Sequence, residues 1–399
     1  MSMTRQPPAW AGHASPTPAR QAGFGLVELM VSMLIGLVII AALVSLFVNT
    51  SGNNRELARA NSMIENGRFA IKVLEDDLIH AGYWGGFVPM FDDQTSNDVP
   101  TDVPTAVPDP CLPYDPVTWN AAYKTNLVGI PVQLYDDPAV VGTCVAEGVI
   151  DAGDYQAGTD LLIVRHAEMC LPGEAGSYCE ADDPDDLYLQ AGHCATEVTP
   201  YVLDTSGFAL TKMNCATVAD KRKFVSNLYY VRNWAVTAGD GIPTLVRSRF
   251  ISDPVSGALV YEAPVALVEG IEGFRVEFGV DDVSKTGAAV NYGTAINWED
   301  PLDKVTPTNR GDGVPDGDYL RCDPDCATGA LTADELMNVT SAKIYVLARS
   351  REASPNYTDS KTYTLGLAGD MGPFDDNFKR HVFTTTIRLP NVAGRRMTP

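Results

Sequence analysis

Proline is absent from residues 24–88, and across 24–48 the sole charged side chain is Glu28. Without proline, nothing in that stretch forces a helix to break. Without charge, it has no reason to face water. Cysteine is missing before Cys111, and the chain has 5 histidines, most of them isolated. That scarcity argues against zinc fingers and other histidine-rich metal sites. Basic side chains are few: 29 Lys and Arg face 51 Asp and Glu, for a net charge of −22. Such a surface repels phosphate backbones, so nucleic acid is excluded as a partner. Strand signals occur in the second half without long amphipathic helices between them, which excludes a doubly wound parallel sheet.

What is present begins with the apolar run 24–48. About 20 apolar helical residues cross a bilayer core, so this run is long enough. A carboxylate inside such a run is costly in lipid and normally serves a purpose. Glu28 has no basic partner in its own segment. A free α-amine, made by cutting the chain just before Phe24, would supply one. Arg5 and Arg20 precede the run, and residues 1–23 contain no acid. Positive flanks stay cytoplasmic, which places the rest of the chain outside the inner membrane. The leader 1–23, with Pro7, Pro8, Pro16 and Pro18, reads as a processing segment.

Helical periodicity continues past Val48. Leu57, Ile64, Ile71 and Leu78 recur every seven residues, with Ala60, Gly67, Leu74 and Ala81 between them. The opposite face carries Arg55, Glu56, Arg59, Glu65 and Lys72. This predicts one helix from about Phe24 to about His80, roughly 85 Å long. Gly36, Gly52 and Gly67 are candidate bending points, and Gly82 a candidate C-cap. Residues 88–116, rich in Pro, Asp, Thr and Val, read as a loop. Short apolar runs at 160–164, 224–234, 245–250, 274–280, 343–347 and 382–389 predict strands of a mainly antiparallel sheet packed on the helix.

Eight cysteines, Cys111, Cys144, Cys170, Cys179, Cys194, Cys215, Cys322 and Cys326, lie on one side of the apolar run. An even number placed there suits disulfides in an oxidising compartment. Cys111 and Cys144 could staple the first loop. The stretch 170–215 reads as a disulfide-pinned insertion. Sequence does not choose among the pairings.

The segment Gly23-Phe24-Gly25-Leu26-Val27-Glu28 resembles the type III signal of type IV pilins and pseudopilins. The resemblance implies cleavage by a prepilin peptidase between Gly23 and Phe24 and N-methylation of Phe24. It also implies pairing of Glu28 with a neighbour's N-terminus. Glu65-Asn66-Gly67-Arg68-Phe69-Ala70 and the Asp77-to-Gly85 stretch DLIHAGYWG resemble the PilW-like minor pilins. So do Leu228-Tyr229-Tyr230-Val231-Arg232, the 268–279 stretch VEGIEGFRVEFG and the closing strand at 384–391. Residues 91–149 and 170–215 fall outside the resemblance.

Two stretches could carry chemistry. Arg165-His166-Ala167-Glu168 after a strand resembles the R-H-G-E motif of histidine phosphatases, with Ala167 in place of glycine. That family needs a second histidine after a later strand, and His193 comes too soon in an irregular stretch. Asp312, Asp316 and Asp318 sit in an acidic loop and are candidate calcium ligands. Their spacing lacks the EF-hand pattern, so a solvated turn is expected ahead of a metal site. The run Asp182-Asp183-Pro184-Asp185-Asp186 reads as a solvated loop.

The expected fold is α+β and pilin-like: a long N-terminal helix (24–85, spanning the membrane over 24–48) packed on a mainly antiparallel sheet domain (86–399) with disulfide-pinned insertions. The resemblance implies a minor pilin acting in type IV pilus assembly, in a priming or tip complex, with no enzymatic activity and no cofactor beyond the candidate calcium. The implied partners are other minor pilins, the major pilin, prepilin peptidase and the inner-membrane assembly platform, with a tip adhesin as a further candidate. The implied locations are the inner membrane with a periplasmic domain, then the pilus at the cell surface. The alternatives are a J-type pseudopilin of type II secretion and, from a different class, a membrane-anchored periplasmic phosphatase using His166.

Overall fold

The structure, a computed structural model, describes residues 23, 25–174, 179–321 and 331–397. Phe24, Cys322 and Cys326 lie outside the described residues, as does the leader before Gly23. The chain divides into two compact units between Leu57 and Ala58.

The first unit is the leading part of helix α1 (Leu26–Leu78). The helix passes through Gly36, Gly52 and Gly67 without interruption, since its own backbone hydrogen bonds need no side chain at those points. Leu26, Val27, Leu34, Leu37 and Phe47 are all exposed. The helix contains a window long and apolar enough to cross a membrane, by length and composition.

The second unit holds the rest of α1 and two antiparallel sheets. The strands are β1 (Val132–Tyr135), β2 (Leu161–Ala167), β3 (Tyr188–Ala191), β4 (Tyr201–Asp204), β5 (Lys221–Arg232), β6 (Thr244–Ser252), β7 (Leu259–Tyr261), β8 (Val265–Glu269) and β9 (Ile271–Val280). After them come β10 (Val339–Arg349), β11 (Tyr363–Thr364), β12 (Asp370–Met371) and β13 (Arg380–Arg388). The larger sheet runs β1-β2-β5-β3-β4, with β6 also on β5, and β7 and β8 on β6. The smaller runs β13-β10-β9, and β11 and β12 form a separate pair. Strand β5 is the centre of the larger sheet. Its first residues pair with β3, and the rest is held between β2 and β6.

Met63, Gly67, Ala70, Leu74 and Leu78 of α1 are buried. They pack with Phe274, Val276 and Ile344 of the smaller sheet and with Leu162, Tyr229 and Leu245 of the larger. The expected stripe is partly corrected here. Leu57 and Ile64 are exposed, and Met63 and Ala70 take the inward positions. The buried positions 63, 67, 70, 74 and 78 follow spacings of three and four residues rather than a strict seven-residue repeat, and small residues mark the closest approach. A Cβ at position 67 would run into the Phe383 ring, so Gly67 and Ala70 let the helix lie close to β13.

The stretch 170–215 is more ordered than its composition suggests. It contributes the β3–β4 pair, which joins the larger sheet through β5. Helix α2 (Ala121–Gly129), capped by the Asn120 side chain on the Tyr123 N–H, also has no counterpart in the sequence reading. The disulfides are Cys111–Cys144, Cys170–Cys179 and Cys194–Cys215.

Buried charges tie the sheets together. Asp160, fully buried before β2, accepts hydrogen bonds from Arg275 at 2.7 Å, Arg321 at 2.5 Å and the Val276 N–H at 2.8 Å. In the smaller sheet, Arg380 pairs with Glu272, Asp359 and Asp376.

Candidate assembly site

Glu28 stands in the first turn of α1, where the exposed backbone N–H groups favour a carboxylate. Its Oε2 accepts the Gly25 N–H at 3.2 Å, and Gly25 O accepts the Leu29 N–H at 3.1 Å. Among the described residues Glu28 has no ion-pair partner. Leu26, Val27 and Met30 beside it are exposed. Glu28 is thus a negative group on an exposed apolar stretch of helix.

The second half of α1 is fastened to the sheets by polar contacts at the motif residues. Asn66 donates to the Glu269 carbonyl at 2.9 Å, tying the helix to the end of β8. Asp77, the next-to-last residue of the helix, is the acceptor of a converging set. Asn227 Nδ2 lies 3.0 and 2.9 Å from its two oxygens, Tyr229 OH lies 2.9 Å away, and His166 Nε2 lies 3.0 Å away. Just beyond the helix, Gly82 takes φ +74° and donates its N–H to Arg165 O at 3.0 Å. A glycine adopts that left-handed turn without steric cost.

His166 belongs to this anchor. Its Nδ1 lies 3.0 Å from the Ala167 carbonyl and its Nε2 faces the Asp77 carboxylate. The Ala167 carbonyl can only accept, so Nδ1 donates to it, and Nε2 is shared with the Asp77 carboxylate. Burial works to lower its pKa, but the hydrogen bond and charge of Asp77, with Ala167 O and Glu168, outweigh it and the net shift is upward. Both ring nitrogens of His166 are thus engaged in holding the helix to the sheet. A raised histidine pKa gives stability that is complete below the unfolded value of about 6.5 and fades as pH rises through the folded value. The gap in Tm between wild type and His166→Gln is therefore expected to be widest below the unfolded value of about 6.5 and to narrow as pH rises through the higher folded value. A gap independent of pH would remove the ion pair from the account.

The aspartate loop is organised differently from a cation site. Asp281, fully buried at the end of β9, accepts the N–H groups of Asp312 at 3.1 Å and Gly313 at 2.8 Å. Asp312 itself accepts the Val314 N–H, and Asp316 the Val283 N–H. Asp318 is exposed. The three carboxylates are thus directed to separate places, and among the described residues no group of three His, Cys, Asp or Glu side chains is placed to hold a metal.

Sequence reasoning did not identify Asn227, Tyr229 and His166 as partners of Asp77. The available signal was Asp77 itself, a charge beside the buried Leu74 and Leu78.

The comparisons agree with this geometry at both ends. The family described as Type IV Pilus-assembly protein W matches residues 228–391, from the middle of β5 through β13. The Prokaryotic N-terminal methylation motif matches residues 18–44, which include Gly23, Phe24 and Glu28. No curated protein matches the chain. Among solved structures, a type IV-like pilin from Thermus thermophilus is similar at 15% identity, over 67% of this chain and 90% of that one, with a TM-score of 0.23. The chain thus carries a methylation-type N-terminal motif on a membrane-length helix and is similar to the type IV pilus-assembly protein W family over the strands from β5 to β13.

Proposed function

We propose that the chain is cut between Gly23 and Phe24 by a prepilin peptidase, N-methylated on Phe24, and then drawn from the inner membrane into a pilus as part of a priming or tip complex. The observation that carries this reading is Glu28: one carboxylate without an ion-pair partner among the described residues, on an exposed apolar helix. In a bundle of similar helices, a neighbour's new terminal amine neutralises that charge, and the pairing sets the axial register between subunits. The partners on this reading are the other minor pilins and the major pilin, with a tip adhesin beyond them. The protein's work is assembly rather than catalysis.

Mass spectrometry of the membrane-extracted chain is expected to show a methylated N-terminus at Phe24. Any other start refutes the processing step. Deletion of the gene is expected to strip pili from the surface while secretion through the outer membrane continues. The reverse outcome identifies the J-type pseudopilin instead.

A further inference from the structure

A cavity of about 470 Å³ lies between the loop after α1, the 293–309 loop and the tail that follows β13. Its walls are unlike the rest of this acidic surface. Trp298 lines it and is only half-buried, with exposed Val88 and Met397 beside it. The indole, the valine and the methionine together form an apolar face that remains partly open among the described residues.

Unspent polar groups surround that face. Gln94 Nε2 donates to Gly311 O at 3.2 Å and Arg396 O at 2.8 Å. Both contacts are carbonyls, so the amide cannot be reversed, and its Oε1 is left as a buried acceptor with no partner. A buried acceptor without a donor is unfavourable, so a donor arriving from a ligand relieves it. Asp93 Oδ1 takes the N–H and hydroxyl of Thr95, leaving Oδ2 open. Asn97 Oδ1 receives Lys304 Nζ at 3.3 Å, leaving Nδ2 and the remaining ammonium hydrogens as donors.

We propose that this cavity is a carbohydrate-binding site. A pyranose presents a C–H face to an aromatic ring and a rim of hydroxyls, each of which both donates and accepts. That matches an indole ringed by acceptors at Gln94 and Asp93 and donors at Asn97 and Lys304. A bare anion would meet the open oxygen of Asp93. A bare cation would meet Lys304. A wholly apolar ligand would leave the amide oxygen of Gln94 as it is. The size falls within the usual range for small-ligand cavities, about 300–1,000 Å³. The site stands whether or not the chain enters pili, since it uses no residue of the N-terminal helix.

The test is saturation-transfer NMR on the full-length chain in a zwitterionic detergent without a sugar headgroup. The probes are methyl β-glucopyranoside, methyl β-galactopyranoside, N-acetylglucosamine and glucuronate, with cyclohexanol as the ring that lacks the hydroxyl array. Transfer is expected to the ring C–H protons of at least one sugar. Trp298→Ala is expected to raise its Kd by about tenfold or more, and Trp298→Phe by only about threefold, because stacking on an aromatic face is kept. Asn97→Ala, at an exposed position that leaves the fold intact, is expected to weaken binding by about threefold through loss of a donor. Absence of transfer to every sugar overturns the proposal. So does a Kd unchanged in both Trp298→Ala and Asn97→Ala, or cyclohexanol binding as well as the sugars.

Discussion

Glu28→Ala should leave the chain in the inner membrane in normal amount and reduce its recovery in sheared pili by about tenfold or more. In the membrane the substitution removes a charge from an apolar segment, so insertion becomes easier, not harder. In the bundle it leaves a neighbour's terminal amine buried without its counter-charge. Removing one member of a buried ion pair costs about 3–5 kcal/mol, enough to exclude most copies from the fibre. Glu28→Gln keeps the shape and loses the charge, and should fail nearly as badly. Immunoblots of shear fractions against membrane fractions decide the matter. Equal incorporation of either variant would show that the carboxylate has no part in assembly.

Arg396→Met is expected to destabilise the second unit by about 3–5 kcal/mol at neutral pH. The Arg396 guanidinium is buried. It reaches Asp92 Oδ1 at 2.9 Å, Asn338 Oδ1 at 2.8 Å, Met337 O at 2.9 Å and Asp281 Oδ2 at 3.3 Å. One side chain near the C-terminus thereby joins the loop after α1, the end of β9 and the approach to β10. Methionine fills much of the space but leaves Asp281 without its cation and Asp92 with only Arg395, at 3.6 Å. Burial pushes the Asp281 carboxyl up to about 6, with Arg396 and the Gly313 and Asp312 N–H groups pulling it back. A carboxylate raised in the folded state weakens the fold above its folded pKa, and the penalty disappears toward the unfolded value of about 3.9. The deficit of Arg396→Met should therefore be larger at about pH 8 than at about pH 5. Denaturant titration at both pH values measures it. A deficit under about 1 kcal/mol at neutral pH would mean that the charge network adds little to the fold.

The sequence made some parts of this structure readable for definite physical reasons. Strands β5, β9 and β10 show because both faces of each are largely covered, so their residues form near-continuous apolar runs. Glu28 shows because one charge in an apolar segment has few structural uses. Strands β3 and β4 are hidden because four residues carry too little pattern within an acidic, cysteine-rich stretch. Helix α2 left only Asn120 and a short Ala-Ala-Tyr-Lys start as its signal. On α1 the large residue Ile64 drew the eye, whereas Gly67 and Ala70 mark the close approach. The Asp77 anchor was out of reach because Asn227 and Tyr229 stand 150 and 152 residues away along the chain. Only folding brings them together.

The three described disulfides all precede residue 228, where the PilW-type match begins. Their loops close over 33, 9 and 21 residues, each within its own neighbourhood. Among the described residues beyond 228, non-covalent contacts such as the Arg380 and Arg396 networks do the holding. A thiol reductant should therefore loosen the earlier stretch first and leave the register between β9, β10 and β13 in place, so that redox sensitivity is confined to one side of the molecule.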